Sequence, residues 1–489
     1  MNVNRSQARP WPERSARQAR QLMALSTGII CSTASFLILY VGAQSSADLI
    51  FTETAQIFGG ALALALLQEG RAGLRQMVRA DNLMLVALYG LIFLEFLFPQ
   101  QSFALGLSTE AARNGTIASL WGFFALALGR HMLVKVAPSS VFGPQYDVSP
   151  RLFAQLFFVI ALFGYLHILL AVNFDVPEAI RQMALPRFRQ AWSRSRLGGW
   201  NTLLTEVGLL IFLIPPLAGL IFARFRSFGT FTHLFVILIF AVTLFKGFAS
   251  GTRSVFLIHL LTFAGAFILA RPDLKTLHLL SFGAVVAMIG GLGMNYMLAF
   301  RGIGLSRFDF EEFESETLFV DLNLINICKL TEVFPSRFDY LGLEIPYWMM
   351  ILPIPRALWP GKPEGLSIGI EEALGVDGLT LSATFVGEAY MAGGLFAVIV
   401  SGLLLGATAG NWDRLGKQVS SNYGLILYCS GFFAAALSMR SVLQVAPALL
   451  PTLALWLVGR VWLRRVKNSR ALRPRREIVR GSGSGRDHL

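Results

Sequence analysis

FGTFTHLFVILIFAVTLFKGFASGTRSVFLIHLLTFAGAFILA, from Phe228 to Ala270, is the stretch whose reading decides the fold. Two apolar blocks, 228–249 and 253–270, are separated only by Ser250-Gly251-Thr252. Each is close to the ~20 residues that a helix needs to cross a hydrocarbon layer. A strand of an outer-membrane barrel would instead show about ten residues of alternating polarity. The pair therefore reads as a helical hairpin inside a bilayer.

Working outward, the same pattern recurs along the whole chain. Apolar blocks fall at 22–43, 50–67, 82–100, 115–136, 150–172, 201–223, 277–300, 386–409, 422–439 and 442–462, which with the hairpin makes about twelve expected spans. Of the 489 residues 54% are hydrophobic and 15% charged, and the mean hydropathy is +0.59. One water-soluble core could not hide that apolar excess, so it must face lipid. The fold class is an all-α integral membrane protein. The block Leu22–Ala43 follows Arg5, Arg9, Arg14, Arg17 and Arg20 but exceeds a signal-peptide core, so it reads as an uncleaved first span.

The net charge of +13 is distributed as short cytoplasmic loops require. With the N-terminus inside, Arg71, Arg75, Arg79, Arg130, Lys135, Arg151, Arg224, Arg226, Arg271, Lys275, Arg414, Lys417 and the tail from Arg460 all fall on the cytoplasmic side. The expected layout is a basic N-terminus (1–21), nine spans with an arginine-rich outer loop at 173–200 (22–300), a large periplasmic loop (301–385), three spans (386–462) and a basic disordered tail (463–489). Both termini are then cytoplasmic, in a bacterial inner membrane. Cys31, Cys328 and Cys429 lack the spacing of a metal or redox site and read as packing residues.

The two long outer loops break the positive-inside bias, and an anionic ligand would explain it. Arg181, Arg187, Arg189, Arg194 and Arg196 interleave with Ile180, Met183, Phe188 and Trp192, as in a helix on an anionic surface. That segment is either a membrane-surface anchor or a site for a lipid-linked phosphate, whose oxygens guanidinium holds bidentately. Lys246 and Arg253 flank the hairpin turn, and Arg440 lies between the last two spans on the same side. A cation at bilayer depth costs about 2.5–3.5 kcal/mol on insertion scales and normally has a partner; otherwise it snorkels to the surface.

In the large loop, Leu318, Leu322, Ile325 and Cys328 fall at helical spacing, and Ile345–Ile354 is an apolar run too short to span. Arg301, Arg307 and Arg337 accompany Asp309, Glu311, Glu312, Glu314, Glu316 and Asp321, which read as solvated helix faces. The run Pro353-Ile354-Pro355-Arg356-Ala357-Leu358-Trp359-Pro360-Gly361-Lys362-Pro363 differs. Its four prolines fix a non-helical backbone that holds Arg356, Trp359 and Lys362 in set directions. This is an arrangement for sugar and phosphate contact, or else an interfacial wedge with Trp359 as anchor. Glu388, at the outer end of the tenth span, is either a base or a buried counter-ion, with Tyr390 beside it and Gly393-Gly394 following. Of the histidines within spans, His167, His233 and His259, only His167 lies near the outer face, as an alternative base.

At these residues the chain resembles the Wzy-type O-antigen and exopolysaccharide repeat-unit polymerases. The resemblance rests on the Pro-Arg-x-x-Trp-Pro-x-Lys-Pro run from Pro355 to Pro363, on Gly387-Glu388-x-Tyr390 followed by glycine, and on Ser-Gly-Thr-Arg ending at Arg253. It covers about residues 245–400 at the level of motifs, and hydropathy alone elsewhere. It implies a GT-C-like membrane glycosyltransferase without metal or other cofactor, related in architecture to the O-antigen ligases. The implied substrates are polyprenyl-pyrophosphate-linked oligosaccharides, with membrane lipid around them, a chain-length regulator as a further partner, and no nucleic acid. Glu388, Arg253 and Arg356 are then the expected catalytic residues. Lys246, Arg181, Arg187, Arg189, Trp359, Lys362, Tyr390 and Arg440 are the expected substrate-binding ones. The rival readings are a flippase for a lipid-linked oligosaccharide and a non-catalytic subunit of an export complex.

Overall fold

Helices are the only regular elements among the described residues of the computed structural model, which are 16–98, 106–132, 148–193, 201–225, 228–271, 273–304, 322–356, 358–363, 365–376, 381–419 and 421–471. In chain order they are α1 (Ala16–Ala43), α2 (Ala47–Gly70), α3 (Ala80–Ile92), α4 (Thr109–Gly129), α5 (Pro150–Ala171), α6 (Val176–Met183), α7 (Asn201–Gly208), α8 (Ile214–Arg224), α9 (Thr230–Ala249), α10 (Arg253–Ala270), α11 (Thr276–Ile303), α12 (Asn323–Val333), α13 (Glu344–Ile351), α14 (Ile370–Ala373), α15 (Thr384–Gly416), α16 (Asn422–Arg440) and α17 (Val445–Ala471). Lys135, Arg194, Arg196, Arg226, Arg307, Leu318, the acidic residues from 309 to 321 and the tail beyond Ala471 lie outside the described residues.

Each apolar block of the sequence overlaps a helix within its described residues, and nine helices among the described residues, rather than twelve, are long and apolar enough to cross a membrane. The shorter apolar helices are α3 and Val445–Val461 of α17. Leu39, Phe231, Leu277 and Phe396 are each more than 70% exposed, a placement that suits lipid rather than water. The chain is thus a multi-pass membrane protein. Its centre is α16, almost wholly enclosed, and its periphery is α11, almost wholly bare.

Small residues set the closest packing. A Cβ on Gly402 of α15 would lie 2.8 Å from Ala125 and 3.1 Å from the Gly122 carbonyl of α4, so the two backbones can touch only because neither surface carries bulk there. The segment joining α7 to α8 is broken by a 3-10 stretch at Leu209–Leu213. Pro215 and Pro216 follow it and have no N–H to give the carbonyls one turn earlier. The large loop also folds inward: Ile325 and Cys328 are buried where α12 packs on α4 and α15.

The bundle has two polar ends. At one, Arg79 and Arg130, counted from sequence as cytoplasmic loop charges, are 5% and 1% exposed. Arg130 donates to Glu69 at 2.9 Å, Asn82 at 3.2 Å, Ser26 at 3.0 Å, Thr27 at 2.8 Å and the Met23 carbonyl at 3.2 Å. Arg79 pairs with Asp81, with Glu69 at 3.1 Å and with Asp413 at 3.8 Å. Asp413, from α15, accepts from the backbone N–H groups of Ala80 and Asp81 at 2.9 and 3.0 Å, and so caps α3 from another helix. Charges buried this deeply are tolerable because each is paired and hydrogen-bonded. The corrected reading is that these two arginines tie α1, α2, α3, α4 and α15 together. Arg75, Arg224 and Arg414 have the more ordinary task of donating to carbonyls at the C-terminal ends of α10 and α4 or just beyond them.

Candidate functional site

The opposite end gathers most of the candidate residues. The α9–α10 hairpin closes with Gly251 at φ +63, a conformation glycine adopts freely. Ser250 donates to the Gly247 carbonyl at 2.7 Å and accepts from the Thr252 N–H at 3.2 Å. This rigid turn delivers Arg253 to the first position of α10. A cation there opposes the helix dipole, so the helix itself gains nothing from it. Arg440, at the last position of α16, is favourably placed by the same rule and donates to the Ser254 hydroxyl at 3.1 Å.

Arg253 and Ser254 stand at the head of a lateral apolar groove. A cavity of about 180 Å³ is lined by Arg253, Ser254, Glu95, Gly90, Leu94 and Ala436 among others. It shares Val86, Leu257 and Leu261 with a second cavity of about 520 Å³. The second lies between α3, α10 and α11, is flanked by Gly283, Gly290 and Gly291, and reaches Arg79 and Asn82 at the other end of the bundle. The groove therefore combines a cation, a hydroxyl and the Glu95 carboxylate at its head with hydrocarbon walls along its length.

Glu388 belongs to the same end but has a different task. It is 6% exposed and accepts from Ser441 Oγ at 2.6 Å, Val442 N at 2.6 Å and Leu443 N at 3.2 Å. Those residues are the turn that follows Arg440, and the Arg440 carbonyl accepts from Ser382. Glu388 thus holds the turn that follows Arg440, whose guanidinium donates to Ser254, the neighbour of Arg253.

The Gly393-Gly394 pair of α15 forms a kink. Gly393 and Gly394 leave helical geometry, Gly394 at φ +63, and free the carbonyls of Met391 and Ala392. Those carbonyls accept from Leu341 N at 2.9 Å and Gly342 N at 2.8 Å. Tyr340 lies across the bend, where a Cβ on Gly394 would approach its hydroxyl to 2.7 Å, and its ring meets Tyr390 edge-on at 6.3 Å. Tyr390 is therefore a docking surface for the large loop.

The proline-rich loop is clasped by its own cations. Arg356 donates to the carbonyls of Lys362 and Pro363, both at 2.6 Å. Lys362 donates to those of Leu352 and Ile354 at 2.8 and 3.0 Å and lies over the Trp348 ring. Burial and the neighbouring Arg356 charge push the Lys362 ammonium below its ordinary range, with Glu206 of α7 acting in the opposite direction. Arg356 is exposed and Trp359 half-buried, and among the described residues Arg356 is not part of the lining of the groove that Arg253 heads.

The first arginine-rich segment lies over the hairpin turn. Arg187 reaches the Thr252 hydroxyl at 3.5 Å, and Pro186 packs on Gly304. Arg181 is 74% exposed and paired with Glu178, and Arg189 is exposed. Lys246 is half-buried in α9, within electrostatic reach of His167 and His259, whose Nδ1 atoms lack hydrogen-bond partners. The His167 ring packs against Gly208 of α7.

Sequence reading missed Glu95, Glu206, Ser254 and Ser441. The first two carried a signal, since a carboxylate inside an apolar block is costly and asks for a reason. Among the described residues no group of three or more His, Cys, Asp or Glu side chains could hold a metal ion, and all three cysteines are free. Comparison with known proteins finds no matching family model, no similar curated protein and no similar solved structure.

Proposed function

We propose that this chain is a repeat-unit polymerase of the Wzy type. It would join polyprenyl-pyrophosphate-linked oligosaccharides at the outer face of a bacterial inner membrane that it crosses twelve times, both termini in the cytoplasm. The observation that carries the reading is the groove: Arg253 and the Arg440–Ser254 contact at its head, apolar walls below. An amphiphile with an anionic head and a long hydrocarbon tail fits that division. Each buried methylene contributes about 0.8 kcal/mol, so the tail can anchor the substrate while the head is positioned.

In this reaction the acceptor hydroxyl oxygen attacks the anomeric carbon of the donor, and the bond to pyrophosphate breaks. Negative charge grows on the departing oxygen, and Arg253 and Arg440 are preorganised to meet it. Lys246 adds a positive charge on the same hairpin, and Arg187 and Arg189 draw anionic headgroups towards it. Glu388 keeps Arg440 in place through the 441–443 turn. The clasped loop, with Trp359 on its surface, offers the glycan a rigid wall.

The test is a metal-free incubation of purified protein with a lipid-linked repeat unit in liposomes, read as a ladder of oligomers. R253A should lose it and R253K keep part of it, because lysine retains the charge but not the bidentate fork. A ladder unchanged in R253A would sink the site assignment, and none from the wild type would sink the reaction. A flippase is the second reading, favoured by a groove that reaches polar side chains at both ends of the bundle. It calls for substrate translocation into sealed liposomes without any ladder.

A further inference from the structure

We infer that Glu95, on the wall of the groove head, is the general base that accepts the proton of the acceptor hydroxyl, an assignment that rests on the polymerase reading above. Glu95 lies in the 3-10 turn Leu94–Leu97 that extends α3, and it is 4% exposed. It lines the same cavity as Arg253 and Ser254. The carboxylate comes from the α3 side of that cavity, whereas the cation and hydroxyl come from α10. Arg440 joins the α10 side through its bond to Ser254 at 3.1 Å. A glycosyl transfer needs both functions in one enclosure: a proton acceptor for the incoming oxygen and positive charge for the departing one.

The lining of the groove narrows the choice. Among the described residues that line its two cavities, Glu95 is the one side chain able to take a proton at neutral pH. Arg253 and Arg79 are already protonated, Ser254 and Asn82 are a hydroxyl and an amide, and the rest are apolar side chains or glycine. A carboxylate within an apolar block is costly to keep without a task. The large loop orients it: the Leu322 N–H donates to Glu95 Oε2 at 3.3 Å, and Asn323 Nδ2 donates to the Leu91 carbonyl at 2.8 Å. The start of α12 is thereby pinned to the segment that bears Glu95.

In the step, the hydroxyl proton passes to the Glu95 carboxylate as the hydroxyl oxygen bonds to the anomeric carbon. The bond from that carbon to the pyrophosphate oxygen breaks, and its electron pair leaves on the pyrophosphate against Arg253 and Arg440. Glu95 returns its proton to water as the product departs.

The experiment compares wild type, E95Q, E95D and E95A in the liposome assay, with initial rates measured apart from binding of the lipid-linked unit. E95Q keeps an oxygen to accept the Leu322 N–H, so it removes the base without removing that contact. In E95Q kcat should fall by about a hundredfold or more while KM and binding stay within about threefold, and E95D should recover part of the rate. Azide, a nucleophile that has no proton to lose, should restore turnover in E95A, or in E95Q where the alanine variant does not fold, with a glycosyl azide as product. A smaller fall in E95Q overturns the assignment. So does a loss of rate without azide rescue, or a joint loss of binding and rate, either of which marks a carboxylate that only holds α12 or balances Arg253. If wild type makes no ladder, the polymerase reading itself fails and this assignment with it.

Discussion

Glu388 shows how a buried carboxylate can position a neighbouring cation indirectly. Its three donors are two backbone N–H groups and a hydroxyl from the turn after Arg440. Glu388→Ala would orphan all three, at about 1–3 kcal/mol for each donor left buried. Thermal unfolding in detergent should show a large loss for the alanine variant and a small one for Glu388→Gln, which still offers an acceptor oxygen. Glutamine should also keep most of the polymerising rate. Equal stability losses for the two variants would mean that the turn does not depend on this side chain.

The kinked helix α15 and the loop that docks on it form a unit whose cost can be measured. Gly394→Ala places a Cβ at φ +63 and within 2.7 Å of the Tyr340 hydroxyl. That backbone, at φ +63 and ψ −151, lies in a region essentially confined to glycine and alone costs about 1–3 kcal/mol. Adding Tyr340→Ala should relieve the steric part and leave the backbone part, so a double-mutant cycle in unfolding free energy should show coupling. Strict additivity would place Tyr340 elsewhere. At the opposite end, Asp413→Ala removes a cap that α3 borrows from α15. It should cost about 0.5–2 kcal/mol for the cap, and more because Arg79 loses a counter-charge. Hydrogen exchange of the Ala80 and Asp81 amides should rise before that of α16.

For the whole molecule, the division of labour is between the α1–α4, α15 and α16 body, knit by buried ion pairs, and the α9–α11 flank, where α11 stands nearly bare. The groove lies between them. Filling it with Val86→Trp and Leu261→Trp should abolish the ladder and lipid binding, detected by native mass spectrometry, while leaving the unfolding temperature within a few degrees of wild type. Retained binding in the filled variant would move the lipid site off this groove.

Much of this architecture was legible from the chain. Apolar block length is a one-dimensional property, and a helix satisfies its own backbone within each block, so spans and turns follow without knowing the neighbours. Loop charge bias, too, grouped Arg253, Lys246 and Arg440 at one end. What only the tertiary structure decided was pairing. Glu69, Asp81, Arg130 and Asp413 come from four different helices, and their mutual neutralisation depends on which faces meet. Arg356 and Lys362 were equally open in sequence to sugar or phosphate, yet their donors reach their own loop. The reason is physical: hydropathy fixes where a segment sits in the bilayer, whereas a hydrogen bond is set within a few tenths of an ångström by packing between residues far apart in the chain.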